Sequence, residues 1–266
     1  MERRVRCLLL GDEIGIPALV KIVKTLDWQI AGYDLSTKTK NCKSIEFLKE
    51  LGPAIDIRNI KEATQFLITS GVELVLMFSF DKILRKDILI DKKVKFVNIH
   101  GGKIPEYAGA NVSNWAILNG EVELGVTVHE VIEAVDAGAH IGKWTISIDP
   151  HDDALTVREN LIKSVLTQLP ALLQAYMQGS IKPTKIDFEK IVYWPRRSPQ
   201  DGIFDFDKTH TQIFNLVRAL VDPWPGARFI NPNGTEIIFK HFLTLESIKK
   251  IRLQYQKHGY IDLSAL

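Results

Sequence analysis

Residues 5–33 read VRCLLLGDEIGIPALVKIVKTLDWQIAGY: an apolar run from Val5 to Leu10, an amphipathic stretch from Ile16 to Leu26, then a second strand-like run from Gln29 to Tyr33. Two such runs bracketing a helix form a crossover unit, the usual way to return the chain for parallel pairing. The alternation continues outward. Helical spacing recurs near Ile45 to Leu51, Ile60 to Thr69 and Val112 to Asn119. Strand-like runs occupy Leu74 to Phe78, Phe96 to Ile99, Gly125 to Val131 and Ala139 to Ile148. This order predicts an α/β fold, a Rossmann-like, mainly parallel twisted sheet with helices on both faces, the last two runs adding antiparallel edge strands.

Beyond residue 150 the pattern changes. Apolar residues from Leu155 to Tyr176 repeat at helical spacing until Gly179, which predicts one long helix with a kink at Pro170. Residues 183–202 are rich in Pro, Arg, Ser and Asp and read as a linker. A small C-terminal α+β module follows over 203–266, with a helix near Thr211 to Leu220 and a hairpin from Arg228 to Lys240 turning at Asn233-Gly234. The main domain is accordingly expected over 1–182.

Composition narrows the function. The 266 residues are 45% apolar and carry a formal charge of +2, and no apolar run approaches the roughly 18 residues of a membrane helix. A soluble cytoplasmic protein is expected, with no membrane and no nucleic acid as partner, since nucleic-acid binding shows as a basic face. The basic start before Val5 is followed by too short an apolar run for a secretory leader. Cys7 and Cys42 lie far apart, outside any metal-binding spacing, so no metal site is expected.

In open α/β sheets, functional groups collect at the carboxyl ends of strands. The densest such stretch is FVNIHGGKIPEYAGA, residues 96–110. Asn98 and His100 stand two apart on a strand end, so they share one side of the pleat. An amide can donate to a developing oxyanion while an imidazole handles a proton near neutrality, the pair that acyl transfer needs. Gly101 and Gly102 allow close approach of the backbone to a ligand. A second element, VIEAVDAGAHIG at 131–142, places Asp136 in a glycine-bearing turn between two apolar runs. The opening loop, Gly11-Asp12-Glu13-Ile14-Gly15, lacks the glycine fingerprint of dinucleotide binders and argues against a dehydrogenase.

Taken together, Asn98-Ile-His100, Pro105 to Gly109, Trp115 to Glu121, Gly125 to His129, Asp136-Ala-Gly138, Arg196 to Gly202 and Val217 to Gly226 resemble the folate-dependent formyltransferase family over nearly the whole chain. That family includes glycinamide ribonucleotide transformylase, methionyl-tRNA formyltransferase and sugar-nucleotide N-formyltransferases. The resemblance implies 10-formyltetrahydrofolate as co-substrate, His100 assisting proton transfer, Asn98 binding the oxygen of the tetrahedral intermediate, and Asp136 orienting His100 or a water. It also places Phe80, Ile83, Leu84 and Val135 beside the pterin.

The chain departs from many relatives in reading Tyr107-Ala108-Gly109 where they have Tyr-Arg-Gly, so a cation beside the acceptor is missing. His129 reads as a satisfied sheet histidine, although family position sets it near the acceptor. The segments 193–206 and 222–226 look most like sugar-nucleotide N-formyltransferases, acting on amino-dideoxy sugars of bacterial surface glycans such as O-antigen. The acceptor expected from this likeness is a GDP- or dTDP-linked 4-amino-4,6-dideoxyhexose. Gly102, Lys103, Tyr107, Asn111, Trp194, Arg196, Arg197 and Trp224 are its expected contacts, the two arginines on the pyrophosphate. The alternatives are a methionyl-tRNA formyltransferase-like enzyme, disfavoured by the absence of a basic surplus after residue 200, and a hydrolase of 10-formyltetrahydrofolate. A homodimer using the C-terminal module is also expected.

Overall fold

A computed structural model describes residues 4–37, 46–89 and 93–262, with the side chains of residues 46–47 excepted. Compactness divides the chain into two units that are discontinuous in sequence. The first comprises Met1–Ala108, Gly125–Thr145 and Ile162–Val192, and the second Gly109–Leu124, Ile146–Leu161 and Tyr193–Leu266. This differs from the sequence-drawn boundaries: a short helix near residue 115 and the start of the long helix group with the C-terminal residues.

The main sheet is built from β1 (Arg6–Gly11), β2 (Gln29–Leu35), β3 (Leu74–Phe78), β4 (Lys95–His100), β6 (Glu123–Glu130) and β7 (His140–Ser147), in the order β2-β1-β3-β4-β6-β7. The intervening β5 (Ala108–Gly109) makes a two-residue pair with β8 (Tyr193–Trp194). Strands β2, β1, β3 and β4 pair in parallel, while β4 and β6 run antiparallel. The expected mixed sheet is therefore present. Its central strands are continuously apolar because both faces are covered: all five residues of β3 are buried, as are Cys7 to Gly11 of β1.

Local chemistry explains the helices. Helix α1 (Gly15–Thr25) buries Ile16, Leu19, Ile22 and Val23, the apolar stripe read from the sequence. Helix α2 (Ile60–Thr69) starts at Asn59, whose side chain accepts from the Glu62 N–H, relieving one of the unpaired donors at a helix start. Its Ala63 and Leu67 join Leu8, Leu10, Val75, Met77, Val94 and Phe96 in the core on one sheet face. The helix expected from Ile45 is a 3-10 helix over Glu46–Leu51; Ile45 and Cys42 lie outside the described residues. Helix α4 (Ala154–Met177) runs through Pro170 as a single element.

In the second unit, α3 (Val112–Leu118) neighbours α5 (His210–Ala219), and β9 (Ala227–Ile230) pairs with β10 (Glu236–Phe239) around a turn at Asn231–Gly234. Phe204, Phe206, Phe229, Phe239 and Tyr255 form an aromatic cluster with ring centroids 4.9 to 6.0 Å apart. Tyr255 belongs to a helix absent from the sequence expectations, α6 (Leu245–His258), capped by Thr244 at its start and by Gly259 in the left-handed conformation at its end. The stretch 183–202 is not a bare linker. It carries β8 and two 3-10 turns, Phe188–Lys190 and Pro199–Gly202.

Candidate active site

The chain leaves β1 to one side for β2 and crosses to the other for β3, so the gap between the carboxyl ends of β1 and β3 is the switch point at which doubly wound folds bind ligands. Here it is closed. Asp12 Oδ1 accepts from the N–H groups of Ile14 and Gly15 at 2.9 and 2.8 Å, so a carboxylate of the chain itself occupies the start of α1. Its Oδ2 accepts from the Ser79 hydroxyl at 2.5 Å, joining the loops after β1 and β3. A Cβ on Gly15 would lie 2.0 Å from the Phe78 carbonyl oxygen. The start of α1 therefore packs directly against the end of β3.

The polar groups gather instead at the end of β4. Antiparallel pairing sets Asn98 opposite His129 and His100 opposite Thr127. Directly opposed residues share a sheet face, so four polar side chains stand together. The β6–β7 turn then brings Asp136 against them, with Asp136 at φ 52°. A short polar residue is among the few non-glycines that tolerate this left-handed conformation.

His100 Nε2 lies 2.7 Å from the Tyr107 carbonyl oxygen. A carbonyl only accepts, so Nε2 carries the hydrogen and Nδ1 is left with a lone pair. That Nδ1 faces Asp136 Oδ2 at 3.6 Å. The Nε2 bond passes over Gly102, where a Cβ would stand 2.5 Å from Nε2 and 2.3 Å from the Tyr107 oxygen, so no side chain fits there. Gly102 is buried, and its carbonyl accepts from the Thr127 hydroxyl at 2.8 Å.

His129 is 2% exposed. Its Nδ1 donates to the Glu130 carbonyl at 2.7 Å, which turns the Nε2 lone pair toward the Asn98 amide nitrogen at 3.2 Å. The same amide donates to Asp136 Oδ1 at 3.4 Å, and Asp136 Oδ1 lies 3.5 Å from His129 Nε2. Thus Asn98, His100 and Asp136 converge as the sequence reading expects, and His129 joins them beyond its expected role as a plain sheet histidine. The signal for it was the register: Thr127 and His129 alternate with buried valines, so both fall on the face that Asn98 and His100 use.

Burial holds the His100 pKa below its ordinary 6.5, outweighing the neighbouring Asp136 carboxylate, which pulls it up. The unfolded chain therefore takes up a proton near pH 6.5 that the folded chain resists, and stability rises with pH where the unfolded state binds more protons. The contribution is complete above about 6.5 and is lost as pH falls from there toward the depressed folded value. The melting temperature should drop as pH is lowered from 7 to 5, and less steeply in His100→Asn. Equal slopes would show that His100 does not stay neutral on folding.

The remaining expected contacts divide by unit. In the first, Leu84 is a core residue, 4% exposed, Phe80 is half-buried against that core, and Ile83 and Val135 stand exposed at 69% and 44%. Lys103 is exposed and Tyr107 half-buried. A cavity of about 540 Å³ is lined by Leu89, Val94, Phe96, Val131, Ile132 and Tyr176 among others, and by none of the four residues expected at the pterin. Phe96 precedes Asn98 by two residues on β4 and shares its side of the pleat, about 7 Å away along the strand.

In the second unit, the Arg197 guanidinium lies 4.6 Å from the Trp115 ring centre, and Trp115 stands 4.9 Å from Trp194. The Arg197 N–H donates to Asn111 Oδ1 at 3.0 Å and its Nη2 to the Asp201 carbonyl at 2.7 Å, while its Nε is buried with no hydrogen-bond partner among the described residues. Asn111 therefore holds Arg197 rather than capping α3, whose start it occupies at φ 56°. Arg196 is exposed, and Trp224 is half-buried 5.1 Å from Arg158. Among the described residues no cluster of His, Cys, Asp or Glu suits a metal, and no helix is long and apolar enough to cross a membrane.

Against known proteins, the family described as Formyl transferase matches residues 33–173, and Formyl transferase, C-terminal domain, matches 196–253. The chain is 31% identical over 194 residues to the bifunctional polymyxin resistance protein ArnA of Wigglesworthia glossinidia brevipalpis, covering 73% of this chain but only 30% of that protein's length. Among solved structures, a sugar N-formyltransferase from a Shewanella strain superposes with a TM-score of 0.72 at 21% identity, covering 90% of this chain and 98% of that one. WlaRD, a sugar 3N-formyl transferase solved in the presence of dTDP and 5-N-formyl-THF, superposes with a TM-score of 0.64 at 22% identity, covering 88% and 84%.

Proposed function

The chain belongs to the formyl transferase family, and on that premise we propose that it moves the formyl group of 10-formyltetrahydrofolate to the amine of a nucleotide-linked amino-dideoxy sugar, a 4-amino-4,6-dideoxyhexose. The observation that carries this reading is the meeting of Asn98, His100 and Asp136, from a strand end and a distant turn, at 3.4 and 3.6 Å from the shared carboxylate.

The chemistry follows from the lone pairs. The neutral amine adds to the formyl carbon and becomes cationic as the carbonyl oxygen becomes an oxyanion. The Asn98 amide hydrogen bonds Asp136 at 3.4 Å, a long bond, so an incoming oxygen takes over that N–H at little cost. His100 Nδ1, its Nε2 fixed by Tyr107, accepts the amine proton, and Asp136 stabilises the imidazolium. The proton then passes to N10 of the folate as the carbon–N10 bond breaks. The new carbon–nitrogen bond replaces the old one and no covalent enzyme intermediate is needed.

We assign the pterin to the cavity beside Phe96 and Val131, because its floor shares the strand face of Asn98; Val135 and Ile83, exposed apolar side chains outside that lining, are retained as proposed contacts of the carrier. Within the second unit, Arg196 and Arg197 are assigned to the diphosphate and Trp194 and Trp224 to the base or sugar. The unpartnered Nε of Arg197 is a donor awaiting an acceptor, and guanidinium groups match phosphate oxygens. WlaRD was solved with dTDP, which favours a dTDP-sugar acceptor over its GDP counterpart.

The deciding assay supplies 10-formyltetrahydrofolate with GDP- and dTDP-linked 4-amino sugars, the free amino sugar, or no amine. Discharge of the carrier should require the amine, and the nucleotide-linked form should far outperform the free sugar. Equal discharge without any amine would make the enzyme a hydrolase.

A further inference from the structure

The loop after β3 leaves the sheet beside the catalytic pair, because parallel pairing sets Met77 against Asn98 and Phe78 against Ile99. It starts at Ser79, a non-glycine residue at φ 55°, and presents Ile83 to solvent. Three of its residues are each tied by a carboxylate to a different part of the first unit. Ser79 donates to Asp12 at the end of β1, at 2.5 Å. Asp81 accepts from the Ser36 hydroxyl at 2.6 Å and the Thr37 N–H at 2.8 Å, just past β2, and from the Thr37 hydroxyl. Lys82 reaches Asp34 on β2 at 2.6 Å, with the two side chains 8% and 7% exposed, and lies 3.6 Å from Asp56. Asp34 in turn accepts from the Ile57 N–H at 2.9 Å.

A buried ion pair is poor evidence of a stabilising role, since apolar replacements of similar volume are often neutral. Lys82 and Asp34 call for another account. Asp34 stands at the end of β2, where dinucleotide-binding sheets keep an acidic residue for a ribose. Here that carboxylate is spent on the loop. Lys82 Nζ also lies 5.6 Å from the Phe80 ring centre, so the ion pair fixes the aromatic side chain that faces the core under the loop.

We infer that the Asp34–Lys82 pair, with the Asp12–Ser79 bond, makes the crevice between the ends of β1 and β3 a clamp that holds the loop over residues 79–84, which leaves β3 beside Asn98, as a preset wall of the formyl-carrier site, making Lys82 a positioning residue. This rests on the formyl-transfer reading above. A wall already in place lowers the ordering cost of binding the carrier and does not touch the reacting atoms. Loosening it removes binding that ground state and transition state share, which raises KM and leaves kcat.

The test is steady-state kinetics of Lys82→Met, Asp34→Asn and Ser79→Gly, with folding followed by circular dichroism and melting. Ser79→Gly removes one tie, suits the positive φ and keeps the ion pair, so it decides the matter should the buried variants fail to fold. The carrier KM should rise roughly tenfold to a hundredfold in the ion-pair variants and several-fold in Ser79→Gly, with kcat and the acceptor KM nearly unchanged. Folded variants with an unaltered carrier KM would overturn the inference. So would a common fall in all parameters in step with the folded fraction, the mark of a merely structural pair. A wild-type protein that transfers no formyl group removes the underlying reading, and the clamp's role with it.

Discussion

His100→Ala should lower kcat/KM for formyl transfer by roughly a hundredfold to ten-thousandfold, the range of general acid–base assistance, while carrier affinity measured by calorimetry stays near wild type. The side chain is not among those lining the cavity proposed for the pterin, so little binding should be lost with it. What disappears is the Nδ1 lone pair, oriented because Nε2 is bonded to the Tyr107 carbonyl at 2.7 Å. The amine must then lose its proton to water. Turnover within a fewfold of wild type would place the proton acceptor elsewhere.

Asp136→Asn should be almost as severe. Asparagine tolerates the left-handed backbone that Asp136 adopts at φ 52°, so the fold is spared and only the charge is removed. Two effects then act together. The imidazolium formed at His100 loses its counter-charge at 3.6 Å, and an asparagine amide can donate its own N–H to Nδ1 and occupy the lone pair. A fall of about a hundredfold or more in kcat is expected, with melting close to wild type. An alanine there would confuse backbone strain with lost charge, which is why the asparagine variant is the informative one. A kcat unchanged in Asp136→Asn would remove the carboxylate from the mechanism.

The sheet was legible in the sequence because its signal is local: runs such as Leu74 to Phe78 are buried on both faces and stay apolar throughout. Helix α6 was not, since only Ile248 and Ile251 of its residues are buried, too few to draw an apolar stripe on a polar stretch. At the site, the spacing of Asn98 and His100 on a strand end singled them out, whereas Asp136, in a turn, took its expected role only from the family resemblance. His129 was flagged only by family position and otherwise read as a sheet histidine, because its place against Asn98 depends on the register between β4 and β6, a long-range pairing. The carboxylate ties of Asp12, Asp34 and Asp81 escaped for the same reason. Ser36, Lys82 and Ser79 lie 45, 48 and 67 residues from the carboxylates that hold them. Asn111 was expected at the acceptor, and its tie to Arg197, 86 residues along the chain, lay beyond any local pattern.

The claim that His100 and Asp136 form one proton-handling unit is tested most directly by kcat/KM for the double variant His100→Ala/Asp136→Asn beside both single variants. Groups that act as a unit are strongly non-additive, so the double variant should be no slower than about the worse single one. A double variant slower by the product of the two separate losses would mean that imidazole and carboxylate act independently, and would contradict the account.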